Sequence, residues 1–412
     1  MSLILLSPNS TNYFPKLRFP GFSDEWKRKK LEEVGEVING LTYNPSNIDE
    51  SGILVLRSSN VQNRSITLTD NVYVKTNNYN AVKENDILIC VRNGSKNLIG
   101  KNAIIEKHHE GLAFGAFMTI YRSDFNKFLF QWFDTKEYKD IINKNLGATI
   151  NSINGGDLKK FKVPFPSIEE QNKISAFLSS LDSRIQLSMK TIKQLESQIQ
   201  IFIDDIMEEK LKLNGTHENW KTFEMSEIGE TFNGLTGKGK ENFGSGKRYI
   251  QYKQIFDSKT IKINDCGFVE ISKNENQNKV KFGDAFFTIS SETPNEIGMS
   301  SVLLENVEDV YLNSFSFGFR TFSHSILNPR FASFLFRSKI FRNSIVKLAQ
   351  GSTRYNMSKN EFLKLKIKLP SESEQVKIFQ ILERISEKLE TENRILTLLE
   401  QQKKYFLQNL FI

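Results

Sequence analysis

The sequence predicts an α+β protein in which two duplicated strand-rich domains are joined by two long antiparallel coiled-coil helices about a pseudo-two-fold axis. Two observations predict this fold: an internal repeat of roughly 200 residues and a heptad pattern in each copy. A hydrophobic content of 39% with 25% charged residues excludes disorder as the main state. At 412 residues the chain has room for two or three domains.

The internal repeat consists of framework segments that recur at a slowly increasing distance. Residues 34–42 (VGEVINGLT) return as residues 228–236 (IGETFNGLT), which is 194 positions later. The other matches are Phe117 with Phe315 at offset 198, Gly147-Ala148-Thr149 with Gly351-Ser352-Thr353 at offset 204, and Pro-Ser-x-x-Glu-Gln-x-Lys-Ile at 166–174 with the same motif at 370–378, also at offset 204. A repeat of this length indicates a domain duplication rather than a solenoid.

The strand-rich part of each copy covers residues 16–166 and 214–370, after an N-terminal tail of residues 1–15. Short apolar runs such as Ile87-Leu88-Ile89, separated by Gly, Asn and Ser, predict strands. One helix per copy is predicted, near residues 129–144 and 331–348. Asp86 and Asp284 recur at equivalent places and could indicate acid chemistry or a nuclease metal. The preferred interpretation is a turn residue that caps a strand in both copies.

A long helix follows each strand-rich part, at residues 167–213 and 371–412, and Pro-Ser precedes each one as an amino-terminal boundary. Apolar residues at alternating spacings of 4 and 3 form a coiled-coil seam. The first seam is Ile174, Leu178, Leu181, Ile185, Ser188, Ile192, Leu195, Ile199, Phe202 and Ile206, and the second is Ile378, Leu382, Ile385, Leu389, Glu392, Leu396, Leu399, Lys403, Phe406 and Leu410. Ser188 and Glu392 occupy equivalent positions, and we hypothesise that they fix register and partner choice. A two-fold axis perpendicular to the helices would make them antiparallel, with one globular domain at each end.

The charge of the chain is unevenly distributed. The formal net charge is +8. Residues 169–210 carry eight acidic and five basic side chains and residues 372–404 carry seven and six, so the rest of the chain carries +12. This partition favours a nucleic acid bound by the strand-rich domains over a membrane surface or a basic-helix target. The alternative, that mixed charges only solvate two surfaces, remains open.

Two cysteines, Cys90 and Cys266, lie 176 residues apart and predict neither a zinc site nor a disulfide framework. The apolar residues Leu3-Ile4-Leu5-Leu6 lack a basic leader and are too few for a signal peptide or a membrane span. The sequence therefore predicts a cytoplasmic protein with no membrane association.

The sequence contains no complete catalytic motif. Residues 234–241 (GLTGKGKE) approach a phosphate-binding loop, but Glu241 stands where a magnesium-binding Ser or Thr is required. Asn44-Pro45 and Asn328-Pro329 do not complete the Asn/Asp-Pro-Pro-Tyr/Phe motif of amino-methyltransferases. The four histidines, His108, His109, His217 and His324, show no metal-binding spacing. We therefore expect no catalytic residue and no metal site.

The duplication, the paired heptad helices and the two Pro-Ser-x-x-Glu-Gln-x-Lys-Ile motifs make residues 16–412 resemble the specificity subunit (HsdS) of type I restriction-modification systems. Residues 17–26 (LRFPGFSDEW) are also similar to the amino-terminal segment of that family. The resemblance implies that each strand-rich part is a target recognition domain that reads one half of a bipartite DNA target, while the helices set the spacing and dock methyltransferase subunits.

The resemblance further implies partners and the absence of catalysis in this chain. The implied partners are double-stranded DNA, two methyltransferase (HsdM) subunits and, through the complex, restriction (HsdR) subunits. No cofactor is expected in this chain, because S-adenosylmethionine, ATP and Mg belong to partner subunits. Two alternatives stay open: a self-sufficient DNA-modifying enzyme and a non-specific coiled-coil scaffold.

DNA contacts are expected on loops, because base edges and phosphates are bound by Arg, Lys, Asn or Gln. The candidates of the first domain, Arg92, Asn93, Ser95, Lys96 and Lys101, follow the strand that contains Ile87 to Ile89. Those of the second domain are Lys238, Lys240, Lys247, Arg248 and Tyr249 in a Gly-rich stretch, and Thr353, Arg354 and Tyr355 after the repeated glycine. Since the two sets differ, we expect two unlike half-sites.

Overall fold

The structure is a computed structural model that describes residues 14–146, 152–211 and 219–412, together with the backbone of residues 4–5. Several predicted features lie outside these residues. They are most of the N-terminal tail, the Gly147-Ala148-Thr149 match, His217 and the domain boundary between residues 213 and 214.

The chain divides into two compact units that do not follow the order of the sequence. The first unit contains Met1–Met189 together with Arg394–Ile412, and the second contains Lys190–Asn393. Each unit therefore combines one strand-rich domain with a stretch of both long helices.

The first unit contains thirteen of the described strands. They are β1 (Ile4–Leu5), β2 (Leu17–Arg18), β3 (Lys27–Lys30), β4 (Glu36–Asn39), β5 (Ile48–Leu56), β6 (Val61–Gln62), β7 (Ser65–Ile66), β8 (Tyr73–Val74), β9 (Ile87–Cys90), β10 (Asn102–Ile104), β11 (Ala113–Phe114), β12 (Met118–Arg122) and β13 (Lys162–Phe165). The helices are α1 (Leu31–Val34), α2 (Asn126–Trp132), α3 (Lys136–Asn145), α4 (Gly155–Lys159) and the long α5 (Ile168–Met207), which continues into the second unit.

The second unit repeats this arrangement. Its strands are β14 (Lys221–Glu224), β15 (Gly229–Asn233), β16 (Phe243–Ile250), β17 (Gly267–Val269), β18 (Ala285–Thr288), β19 (Ser290–Ser291), β20 (Ser300–Val302), β21 (Tyr311–Leu312), β22 (Ser316–Thr321), β23 (Tyr355–Asn356) and β24 (Lys366–Leu369). The helices are α6 (Met225–Ile228), α7 (Tyr252–Asp257), α8 (Pro329–Leu335), α9 (Lys339–Val346), α10 (Lys359–Leu363) and the long α11 (Glu372–Asn409), which ends in the first unit.

The sheet topology confirms the duplication. The antiparallel four-stranded sheet has the order β10-β9-β12-β4 in the first unit and β20-β18-β22-β15 in the second. In each unit a strand of a second sheet pairs in parallel with a short partner, β5 with β11 and β16 with β21. The two-stranded pairs β3–β13 and β14–β24 also correspond.

The repeated Asn-Gly-Leu-Thr segment has a steric explanation. A Cβ on Gly40 would lie 2.1 Å from the Gly115 carbonyl oxygen, and one on Gly234 would lie 1.9 Å from that of Asn313. The leucine that follows each glycine donates its backbone N–H across the same gap, to Phe114 and Leu312 respectively, at 2.7 Å. Only glycine allows this close approach, so it recurs in both copies.

The prediction of one helix after each four-stranded sheet is wrong, because two short helices occupy that stretch in both units. In the first unit Thr135 separates α2 from α3, and its Oγ1 accepts the backbone N–H of Tyr138. Ser338 does the same between α8 and α9 with Phe341. Each hydroxyl group caps the N-terminus of the second helix, so the preceding helix ends before that residue.

The four-stranded sheet of the first unit has two buried faces. Ile87, Ile89 and Tyr121 point toward a core that also contains Trp26, Trp132 and the α5 residues Ile174, Leu178, Leu181 and Ile185. Leu88, Cys90 and Ile120, which alternate with them, point toward β5 and β11. Because domain and helix share one core, the helix is a structural part of the domain.

The two long helices pack antiparallel within the first unit. The ring centroids of Phe177 and Phe406 lie 4.8 Å apart, and Lys403 contacts Asp182 at 2.5 Å. Residue numbers therefore increase along α5 in the direction in which they decrease along α11. Toward the end of α5 the buried residue is Ile203 rather than the predicted Phe202, which is half-buried, as expected when a helix drifts relative to a strict heptad. Ser188 is buried and Glu392 half-buried, and their role in register remains a prediction.

The long helices are amphipathic. Among the helices of the described residues, none combines the length and the apolar character required to cross a bilayer.

The repeated Glu-Gln pair connects each long helix to its domain. Gln171 donates to the carbonyl of Pro166 at 2.9 Å, and Gln375 donates to those of Pro370 and Ile326 at 3.0 and 2.8 Å. Glu170, which is 1% exposed, accepts two hydrogen bonds of 2.8 Å from Arg18 and one of 3.2 Å from Trp26. Glu374 accepts from Trp220 at 3.4 Å. The motif that opens each helix is therefore structural.

We expect Glu170→Gln to lower the free energy of unfolding by about 3 kcal/mol, because it leaves the Arg18 guanidinium buried without a counter-charge. Urea unfolding of the full chain measures this change. Glu169→Gln is the matched control, since Glu169 is the exposed neighbour on the same turn. Equal stability of the two variants would contradict the structural role of Glu170.

Candidate nucleic-acid interface

The first candidate surface lies at the loop that follows β9. Asn93 shapes this loop, because its side chain donates to Ser58 Oγ at 3.0 Å and accepts the backbone N–H of Ser95 at 2.9 Å. Arg92 is exposed, and its guanidinium carbon lies 5.8 Å from the centroid of the Phe117 ring. Phe117 is itself 55% exposed, which is unusual for a phenylalanine.

A recess of about 530 Å³ adjoins this loop and is lined by Tyr43, Arg57, Ser58 and Phe117, among others. We name Arg57, Ser58, Arg92, Asn93 and Phe117 the first readout surface. A guanidinium fork and an amide are the groups that bind guanine and adenine edges in the major groove, and an exposed ring suits a thymine methyl group. Arg57 is partly engaged by Asp70 at 2.8 Å, so Arg92 is the more available cation.

Lys96 and Lys101 lie at a different recess from the first readout surface. They line a space of about 470 Å³ together with Arg64, Asp134 and Lys139. The five residues predicted for the first domain are therefore not brought together. Sequence reasoning missed Arg57 and Ser58, which directly follow β5. It noted Phe117 only as a repeat match.

The second candidate surface occupies the equivalent place in the second unit. At offset 198 Arg92 corresponds to Ser290, and the backbone bridge between Arg92 and Ser152 corresponds to the β19–β23 pair. Arg354, adjacent to β23, donates from Nε to Ser290 Oγ at 2.8 Å. A guanidinium thus stands at the same loop in both units, supplied by different elements.

A recess of about 580 Å³ adjoins Arg354 and is lined by Tyr252, Ser290, Ser291 and Phe315, among others. We name these five residues the second readout surface. Phe315 is 62% exposed and is the repeat partner of Phe117. Of the neighbouring candidates, Thr353 is exposed, whereas Tyr355 is half-buried against the core.

The Gly-rich stretch contributes less than its sequence indicates. The Lys238 side chain is only 7% exposed, pairs with Glu275 at 2.6 Å and donates to the Glu270 carbonyl at 2.6 Å. Hydrogen bonding by Lys238 lowers the pKa of Glu275 to about 2. Lys238 therefore faces inward, which argues against a phosphate contact.

Other cations of this stretch are engaged to different degrees. Lys247 pairs with Asp309 at 2.8 Å, and Arg248 donates to the Ile263 carbonyl at 2.6 Å. Tyr249 packs against Phe243 with ring centroids 5.1 Å apart, and Lys240 is exposed. Of the five residues, Lys240 retains the most accessible charge.

The two repeated aspartates are structural. Arg122 binds Asp86 with two hydrogen bonds of 2.8 and 2.7 Å, and Arg320 binds Asp284 identically. Each carboxylate also accepts the backbone N–H three residues earlier, at 2.8 and 2.7 Å, which is the turn cap expected from the sequence. Within residues 14–146, 152–211 and 219–412, no three His, Cys, Asp or Glu side chains are grouped to hold a metal ion.

A charged cluster attaches the strand-rich domain of the first unit to the long helices. Arg64, in the β6–β7 turn, stacks on the Phe130 ring at 3.7 Å and lies 3.6 Å from Asp134. Lys403, at a seam position of α11, contacts Asp134 at 2.7 Å and Asp182 of α5 at 2.5 Å. Burial raises the pKa of Asp134, but the charges of Arg64 and Lys403 outweigh it and lower the pKa to about 2.

The second unit makes this attachment with fewer charges. Lys259 lies over the Phe334 ring at 3.6 Å and donates to Ser386 of α11 at 2.8 Å. Burial lowers the pKa of Lys259 to about 8, partly opposed by Glu383 and Glu390. In the second unit one cation therefore joins an aromatic ring of the domain to a long helix, whereas in the first unit Arg64 and Lys403 make the connection together through Asp134.

The fold is thus a duplicated α+β domain, with the long helices packed into its core and an exposed loop surface in each copy. The family model for the type I restriction modification DNA specificity domain matches residues 23–197 and again residues 217–401. The chain belongs to this family.

Two curated relatives and two solved structures show the range of similarity. The chain is 26% identical over 308 residues to the type I restriction enzyme EcoKI specificity subunit of Escherichia coli strain K12, covering 68% of this chain and 64% of that protein. It is 30% identical over 245 residues to the putative type I restriction enzyme MjaX specificity subunit of Methanocaldococcus jannaschii, covering 55% of each. The chain thus spans less than two thirds of the length of the curated relatives that it matches.

The crystal structure of a type I restriction-modification S subunit from M. genitalium matches with a TM-score of 0.60 and 16% identity, over 97% of this chain and 99% of that one. A chain from a structure on complex assembly and conformational transition of the type I R-M system matches with a TM-score of 0.55 and 14% identity, over 94% and 97%. At these identities the likeness shows the fold.

We expect Lys403→Met to destabilise the full chain by about 3 kcal/mol at neutral pH, because Asp134 and Asp182 lose a shared buried counter-charge. The depressed pKa of Asp134 gives stability that is fully present above pH 3.8 and is lost as the pH falls through about 2. The difference between the variant and the original chain should therefore shrink across that window, as measured by unfolding at several pH values. Lys404→Met, at the exposed neighbouring position, is the control. A difference that persists unchanged at pH 2 would contradict this interpretation.

Proposed function

We propose that the chain is the DNA-specificity subunit of a type I restriction-modification complex. Each target recognition domain reads one half of a bipartite target, and the long helices set the distance between the halves and dock methyltransferase subunits. The observation that carries this proposal is one framework used twice with two different loop surfaces. Membership of the specificity family supports it.

The readout surfaces supply the chemistry for two unlike half-sites. Both contain an accessible guanidinium beside an exposed phenylalanine, which suits a purine edge or phosphate next to an apolar base group. The remaining polar groups differ: Asn93 and Ser58 in the first surface, and Tyr252, Ser290 and Ser291 in the second. Different donors and acceptors select different base pairs, so the target should not be symmetric.

The long helices act as spacers because each is fixed to a recognition domain at its start. At 40 and 38 residues, α5 and α11 span on the order of 60 Å. An inserted heptad would lengthen a helix by about 10 Å, or about three base pairs at 3.4 Å each. Helix length is therefore converted into half-site spacing.

The chain itself is non-catalytic in this proposal and acts in the cytoplasm. The repeated carboxylates that would suit acid chemistry, Asp86 and Asp284, are both engaged by arginines, which favours binding over catalysis. S-adenosylmethionine, ATP and Mg would be bound by partner subunits, namely two methyltransferase subunits and the restriction subunits that join through the complex.

We expect co-expression with the methyltransferase of the same system to produce adenine methylation at one split motif with two unlike halves and a fixed gap. Single-molecule sequencing of the host DNA measures this directly. No motif, with the complex verified as assembled, would leave the helices as a scaffold. Methylation by the purified chain alone would indicate a self-sufficient enzyme.

We expect Arg92→Ala and Arg354→Ala each to relax selectivity in one half of the motif only. Loss of one bidentate base contact costs about 1–3 kcal/mol of discrimination. Binding of the complex to duplexes with single substitutions at every target position measures the effect, and each variant is the control for the other. Uniform weakening at all positions would assign the arginine to a phosphate instead.

A further inference from the structure

One equivalent position carries the same residue in both readout surfaces. Phe117 and Phe315 are repeat partners at offset 198, and they are 55% and 62% exposed. Other equivalent positions carry different residues, namely Ser58 and Tyr252 at offset 194, and Arg92 with Ser290 and Asn93 with Ser291 at offset 198. Because the surfaces otherwise differ, the shared ring indicates a task that both domains perform whatever base sequence they select.

Folding of the domains does not account for this shared ring. An apolar side chain stabilises a fold by leaving water, yet more than half of the surface of Phe117 and of Phe315 stays in contact with water. A phenylalanine at this position therefore adds little to the free energy of unfolding. Its presence in both copies favours a role in binding.

The turn that carries Phe117 is fixed by backbone hydrogen bonds. The carbonyl of Phe117 accepts the N–H groups of Val91 and Arg92 at 3.0 and 3.1 Å. Gly115, at the start of the turn, donates its N–H to the carbonyl of Leu56 at 3.0 Å. The backbone of the ring is thus held from two sides while the ring itself is exposed.

The turn of the second unit has equivalent hydrogen bonds. The carbonyl of Phe315 accepts the N–H of Ile289 at 3.1 Å, and Asn313 donates its N–H to the carbonyl of Ile250 at 3.1 Å. The side chain of Asn313 also accepts the N–H of Phe315 at 2.9 Å. The exposed ring is therefore presented in the same way in both units.

The repeated Asn-Gly-Leu-Thr segment packs against these two turns. Gly40 and Gly234, which leave no room for a Cβ, lie against the carbonyl groups of Gly115 and Asn313, the first residues of the turns. Both copies therefore keep an exposed ring together with the framework that fixes its backbone.

We propose that Phe117 and Phe315 insert between adjacent base pairs of the half-site bound by their own domain and open the base stack for methyl transfer. This inference rests on the proposed function, since it takes DNA as the ligand and a methyltransferase as the partner. An aromatic ring stacks on any base, and an apolar side chain inserted at a base step unstacks it. The same residue therefore serves two half-sites of different sequence.

Base modification explains why both copies carry the ring. An enzyme that modifies a base takes it out of the stack, and this unstacking costs free energy. Two methyltransferase subunits that act on two half-sites require two opened steps, one at each recognition domain. A contact with a thymine methyl group, by contrast, depends on one particular base pair and does not by itself require the same residue in two unlike halves.

The test compares Phe117→Ala with Phe315→Ala in the full chain co-expressed with its methyltransferase. The rate of methyl transfer to each half of the target is measured separately under single-turnover conditions. We expect each variant to slow transfer by roughly 10- to 100-fold in the half that its own domain reads, because the methyltransferase must then open the stack unaided. The other half should keep its original rate, so each variant is a control for the other.

A duplex that is already open separates unstacking from folding. In this duplex the target adenine lies opposite an abasic site, so the adenine is unpaired and costs less free energy to extrude. We expect both alanine variants to approach the original rate on this duplex. A domain that had merely lost its structure would not be restored by it.

Phe322→Ala is the matched control for an exposed phenylalanine. Phe322 is 63% exposed and directly follows β22, whereas Phe315 directly precedes that strand, so the two residues lie about 20 Å apart. Its repeat partner at offset 198 is Asp124, which has no ring. We expect this variant to keep the original rate in both halves.

Unchanged rates in the two alanine variants, or slowed rates that the abasic duplex does not restore, would overturn the inference while leaving the proposed function intact. Uracil in place of the target thymines, if it slows the original complex but not the variant, would also overturn it and assign the ring to a thymine methyl group. Loss of methyltransferase co-purification would overturn it and assign the ring to a protein partner. Absence of target-selective methylation by the unmodified complex would instead overturn the proposed function and, with it, this inference.

Discussion

The attachment of each long helix to the core of its domain is the constraint on which the rest of the structure depends. Glu170 and Gln171 make this attachment in the first unit, by binding Arg18, Trp26 and the Pro166 carbonyl around the first helical turn. Glu374 and Gln375 do the same in the second unit. The attachment fixes the direction of the first helical turn relative to the strand-rich domain of the same unit.

The charged clusters add a second point of attachment and explain an apparent defect of the α11 seam. Lys403 occupies a core position of the coiled coil, where a lysine is costly. Asp134 comes from the recognition domain and Asp182 from α5, so one ammonium joins three elements of the first unit. The second unit uses Lys259 and Ser386 instead, with a single hydrogen bond. The framework is thus duplicated more faithfully than the polar contacts that attach each domain to the long helices.

The candidate site was only partly predictable from the sequence. Arg92 and Asn93 are predictable because they follow a predicted strand, and Arg354 because it follows a repeated glycine. The loop equivalent to Arg92, at Ser290 and Ser291, carried no basic residue and gave no signal. The Gly-rich surroundings of Lys238 predict an exposed cation, yet Glu275, 37 positions later, pairs with its ammonium group. Long-range ion pairs of this kind have no periodicity, so a sequence pattern cannot reveal them.

The sequence by itself determined the duplication, the positions of the two long helices and the family. Repeats, heptads and boundary motifs are regularities along the chain, and each arises from a local rule of packing or capping. Only the tertiary structure decided which cations remain exposed, because exposure depends on partners far away in sequence. It also showed that the repeated Glu-Gln and Asp residues are structural, and that Arg92 and Arg354 hold the same place from different elements. A guanidinium can reach one point in space from several backbone positions, and only the folded chain shows which position it uses.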